Sequence, residues 1–148
     1  MDQQALAAQF EALVPFTRHV GVQVTDIGEG HGATRLPDAV QLTNHLGTQH
    51  AAALFTAGEL ASGVAVMGAF LPDAARLTMV VRSADVRYLK PARGPVEARA
   101  HIVEPLSAIR ARLDSDRRVD FEVAVELQAG DVKVAELAVR WHLRVVAQ

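Results

Sequence analysis

Cysteine is absent from the 148 residues. That excludes a disulfide framework, a thiolate zinc site and a cysteine nucleophile, and it fits a reducing compartment. Aromatic residues make up only 5% of the chain, too few for an obvious ring-stacking cage. An excess of one charge is missing as well: 15 basic and 17 acidic side chains leave a formal net charge of −2. That balance argues against nucleic acid as the main partner, which usually demands a strong basic excess. The opening stretch, MDQQALAAQFEALVPF, lacks the positive segment and apolar core of a secretory leader, so a cytoplasmic location is expected. With 50% hydrophobic and 22% charged residues, the composition is that of an ordinary soluble domain and not of a disordered chain. The length suits one domain over residues 1–148.

Apolar spacing predicts a first helix over Gln3–Val14, closed by Pro15. Val20–Ile27 alternates as a strand, GEGHG turns, and His31–Leu36 returns, stopped by Pro37. Ala51–Leu71 is apolar on all sides and long enough to span a membrane. Its Ala and Gly content, the charge of Glu59 and the lack of flanking aromatics favour a helix buried inside a domain, so no membrane partner is expected. The expected helix runs from about Thr48, as N-cap, to Met67. Strands are expected over Leu77–Lys90, Val96–Glu104, Val119–Gln128 and Val132–Val146, with a short helix over Pro105–Leu113. The apolar phase of the last strand switches from even to odd positions, which predicts a β-bulge near Ala135 or Glu136. About six antiparallel strands and one all-apolar helix pack most economically as an α+β fold, the sheet curled around the helix.

Chemistry concentrates between Asn44 and Gly63. Glu59 is the only formally charged side chain between His50 and Asp73. An unpaired carboxylate inside a buried helix is costly, so Glu59 is either functional, as base or nucleophile, or part of a solvent-facing or interface stripe. His50 falls near the helix start, where free N–H groups and the positive dipole end favour an oxyanion. It either takes part in that site or only anchors the turn. His45 is a weaker candidate. The six histidines lack metal-ligand spacing, so no metal is expected. Arg87, Lys90 and Arg93 gather at one strand end, and Arg117 with Arg118 forms a second basic pair; each group is either an anion contact or a solvated strand end.

Asn44, Gly47, His50 and Glu59, with RYLKPARG after the helix and the order of elements, resemble the hotdog-fold acyl-CoA thioesterases, in particular the PaaI-like group and the DUF4442 domain proteins. Two departures stand out. The family's His-Gly-Gly is His50-Ala51-Ala52 here, and Val81 occupies the place of a strand hydroxyl, with Ser83 two residues on and expected on the same face. The resemblance implies a hotdog fold and hydrolysis of a CoA thioester to a carboxylic acid and free CoA, with no separate cofactor. It implies Glu59 as base or nucleophile and the Ala51 or Ala52 N–H as oxyanion donor. Asn44 would hold the carbonyl or the water. Gly47, Ser83, Arg87, Lys90 and Arg93 would face the substrate, and the subunits would pair as a homodimer or a dimer of dimers. A non-catalytic acyl-CoA-binding domain and a dehydratase or hydratase of the same fold are the alternatives. Nine residues along a helix are roughly 13.5 Å and half a turn, so His50 and Glu59 of one chain cannot face one carbonyl. A joint site then needs two chains.

Overall fold

The computed structural model describes residues 2–147. Helix α1 (Gln3–Leu13) is capped by the Asp2 side chain, which accepts from the Ala5 N–H at 2.7 Å. Pro15 ends α1 but does not end the helical course. It sits at the first position of a second helix, α2 (Pro15–Val20), where its missing N–H costs nothing. Gly21, at φ +84°, closes α2 in the left-handed region. Strand β1 (Gln23–Gly28) therefore starts later than the alternation predicts, because Val20 belongs to α2. β2 (His31–Leu36) has the expected bounds.

The central helix α3 spans Ala51–Phe70, and Thr48 is not its cap. Thr48 is buried and bonded into the preceding loop; His50 caps instead, its ring accepting from the Ala52 N–H. The helix also runs one turn beyond Met67, to a short 3₁₀ turn opened by Pro72. Strands β3 (Leu77–Tyr88) and β4 (Val96–Ile102) precede α4 (Leu106–Asp116), and β5 (Arg118–Ala129) and β6 (Val132–Val145) complete the chain.

All pairings are antiparallel, in the order β1-β2-β4-β5-β6-β3. This sheet wraps α3, whose residues from Ala57 to Val66 are buried on nearly every side. The apolar run is thus a core helix rather than a membrane span. Its small residues have a steric reason. A Cβ on Gly68 would lie 2.0 Å from the Gly28 carbonyl oxygen, and one on Gly58 would lie 2.8 Å from the Leu137 side chain. The fold is the hotdog arrangement that the resemblance implies.

The β6 bulge lies close to its predicted place: Leu127 pairs with Ala135 but Gln128 with Lys133, leaving Val134 unmatched. A second bulge has no signal in the apolar pattern. Val81 pairs with Trp141 and Ser83 with Arg140, so Arg82 is the extra residue in β3. The bulge reverses the facing of the residues after it. Ser83 therefore sits opposite outward Arg140, not on the inner face shared by Val81 and Trp141. The two sheet edges also differ. β1 is covered by α1, whose Glu11 accepts the Val24 N–H at 3.0 Å, whereas β3 pairs on one side only, with β6.

Candidate functional site

The α3 N-terminus is built by the loop before it. Asn44 Oδ1 accepts the N–H groups of Leu46 (2.9 Å) and Thr48 (3.1 Å), and its Nδ2 donates to Thr48 Oγ1 at 2.9 Å. Gly47 supplies the positive φ, +73°, that this tight turn needs. Asn44 and Gly47 thus shape the loop, and the Asn44 amide is spent on it. Gln49, 4% exposed, ties the loop to the body. Its Nε2 donates to the carbonyls of Pro37 (3.0 Å) and Gly94 (2.9 Å), and its N–H donates to Ala92 O. Sequence reasoning passes over this clamp, because a glutamine carries no spacing signal.

His50 Nδ1 accepts the Ala52 N–H at 2.9 Å. That bond requires an unprotonated Nδ1, so in the neutral ring the proton is on Nε2. Nε2 has no partner among the described residues. Of the two N–H candidates, Ala52 is therefore occupied, while the Ala51 N–H has no partner among the described residues. Tyr88, also unforeseen, donates its hydroxyl to the Ala51 carbonyl at 3.0 Å. Burial raises its pKa, which keeps it a donor. A cleft of about 310 Å³ opens here, lined by Asn44, Ala51, Tyr88 and Lys90 among others. His45 is exposed at the loop tip.

Glu59 lies elsewhere. It is half-buried in a second cavity of about 180 Å³, walled by Phe10 and Val14 of the α1 end, Gly63 and Met67 of α3, Met79 and Trp141. Its carboxylate has no hydrogen-bond or ionic partner among the described residues, and burial alone pushes its pKa up. Beside it, Trp141 Nε1 donates to Ser62 Oγ at 3.0 Å, and Ser62 Oγ donates to the Glu59 carbonyl at 2.6 Å. This polar chain fixes the indole that forms one wall. No residue lines both cavities.

The basic candidates separate. Lys90 borders the cleft at the helix start. Arg87 is in register with Glu136, to which it lies close enough to help lower that carboxyl's pKa. Arg93 is exposed in the loop before β4. Arg117 ends α4 in the left-handed region, and Arg118 faces a polar cleft of about 750 Å³ with Arg82, Arg112, Asp120 and His142. That cleft is larger than either cavity beside α3 but holds neither Glu59 nor the helix N-terminus.

The model of a domain of unknown function, DUF4442, matches residues 2–143. A Halobacterium salinarum protein provisionally named an esterase is 30% identical over 123 residues, covering 81% of this chain and 76% of that protein. A Pseudomonas aeruginosa structure, described as of unknown function and provisionally as a thioesterase, superposes with a TM-score of 0.85 at 25% identity, covering 99% of this chain and 97% of that one. A thioesterase family protein from Silicibacter pomeroyi shares the fold, with a TM-score of 0.79 at 17% identity and coverage of 98% and 100%. With the family model spanning nearly its whole length over a hotdog frame, the chain belongs to the DUF4442 family.

Proposed function

We propose that the protein is a thioesterase-type hydrolase that cleaves an acyl-CoA thioester, its site shared between two copies of the chain. The observation that carries this reading is the unpaired, desolvated Glu59 carboxylate in an apolar cavity, about 12 Å along α3 from the free Ala51 N–H. Two copies joined through the unpaired edges of β3 would bring the α3 start of one beside the Glu59 cavity of the other. A dimer or a dimer of dimers satisfies this equally. The names of the relatives support the same chemistry.

In such a site the thioester carbonyl oxygen accepts from the Ala51 N–H and the His50 Nε2–H, at the positive end of α3. Glu59 takes a proton from water, and the water oxygen bonds to the carbonyl carbon. The tetrahedral adduct then collapses, the C–S bond breaks, and the leaving sulfur takes the proton as the thiol of free CoA. Glu59 attacking the carbonyl itself, through an anhydride that water later opens, gives the same products. A raised pKa makes the carboxylate a stronger base for the first route. Lys90, beside the cleft, is the cation best placed for the anionic CoA.

Thiol release measured over a panel of acyl-CoAs tests the proposal. Glu59→Gln should lower kcat by about 10²–10⁴-fold. Tight binding of acyl-CoA without thiol release would replace the reading with a binding domain, and hydration of an enoyl-CoA would replace it with a hydratase.

A further inference from the structure

Glu59, Gly63 and Met67 recur at helical spacing along one face of α3, and the cavity follows that face. Phe10 and Trp141 stand on either side of Gly63. A Cβ built on Gly63 would lie 3.5 Å from Phe10 Cζ and 3.5 Å from Trp141 Cζ2. The missing side chain therefore leaves the space between the two rings open beyond Glu59. Nothing in the backbone demands glycine here, because Gly63 has ordinary helical geometry and alanine is the better helix former. The outer wall comes from α1, which is held on β1 by Glu11 and by Gln3, whose Nε2 donates to Asp26 Oδ1 at 2.9 Å.

Resting on the thioesterase reading above, we infer that this slot takes the acyl group of the substrate and that Gly63 is its size-determining residue. The class is apolar acyl groups of about six carbons, straight, branched or cyclic. The cavity of about 180 Å³ is slightly larger than the 150 Å³ apolar cavity that holds benzene, and its polar end is the Glu59 carboxyl, where the reacting carbonyl belongs. Met67 and Met79 give the far end an adaptable apolar lining. Alanine at position 63 would touch both rings at ordinary contact distance, so it fits without moving them and removes the floor of the slot.

The experiment compares wild type and Gly63→Ala on acetyl-, butyryl-, hexanoyl- and dodecanoyl-CoA. Wild type should prefer hexanoyl-CoA. Gly63→Ala should lower kcat/KM for hexanoyl-CoA at least about tenfold, the discrimination expected when one methylene too many enters an apolar pocket, and change acetyl-CoA less than about twofold. A second readout does not depend on turnover. Trp141 is the only tryptophan, so in a Glu59→Gln background hexanoyl-CoA should change its fluorescence, CoA alone should not, and adding Gly63→Ala should abolish the change. Equal loss across chain lengths, preference for dodecanoyl-CoA, or fluorescence insensitive to the acyl group would overturn the slot while leaving hydrolysis intact. Absence of turnover with an acyl-dependent Trp141 signal would instead sink the thioesterase reading and keep the slot.

Discussion

Two inactive variants, Glu59→Gln and His50→Ala, should regain activity when their subunits are dissociated, mixed and reassociated. The reason is the helix. Nine residues at 1.5 Å and 100° each separate the two side chains by about 13.5 Å along α3 and point them to opposite sides. The cleft at the α3 start and the Glu59 cavity share no lining residue. If catalysis needs both, one chain supplies the α3 start and the other supplies Glu59. A mixed dimer then holds one site with both residues intact and one with neither. Random pairing makes half the dimers mixed, and each carries one working site of two, so recovery should reach about a quarter of the wild-type rate. Thiol release from the preferred acyl-CoA is the assay, with the two subunits differently tagged so that mixed dimers are counted. Both parents must be inactive alone. No recovery in confirmed mixed dimers would refute the shared site, and so would an active monomer.

Ser62→Ala leaves the buried Trp141 N–H without its acceptor, which should cost about 1–3 kcal/mol. In a chain of this size that lowers Tm by about 2–4 °C for each kcal/mol, measurable by thermal unfolding. Glu59 binds its proton more tightly folded than unfolded, so stability should fall as pH rises from the ordinary carboxylate value of 4.5 through the raised one. Glu59→Gln should remove that decline and be the more stable protein at neutral pH; urea unfolding of both across pH 4 to 8 checks the sign. The lowered pKa values of Asp120, Glu104 and Glu136 act oppositely, stabilising above the ordinary range and fading on acidification, and they cancel in the comparison. Asn44→Ala removes the bonds that Asn44 Oδ1 accepts from two backbone N–H groups and its side-chain link to Thr48 from the loop before α3. Displacing the Ala51 N–H by about 1 Å should reduce kcat by about 10²-fold, whereas Asn44→Asp, which keeps the acceptor oxygen, should lose less.

Local chemistry makes much of this protein legible in one dimension. The all-apolar run with a single carboxylate specifies a buried helix, the period-2 stretches specify strands, and the half-turn between His50 and Glu59 comes from helix geometry alone. The start of α3 escapes such reading because Thr48 is a good cap by residue type. Its hydroxyl is instead consumed by Asn44, a contact made only when the loop closes. The facing of Ser83 escapes it because a bulge is set by the partner strand, and β6, far along the chain, decides that Arg82 is the extra residue. Tertiary structure alone also decides the surroundings of Glu59. Phe10, Met79 and Trp141 come from three distant segments, and their convergence desolvates the carboxyl and shapes the slot beside it. A sequence names the groups that can ionise, but burial sets their pKa, and burial is a property of everything packed around them.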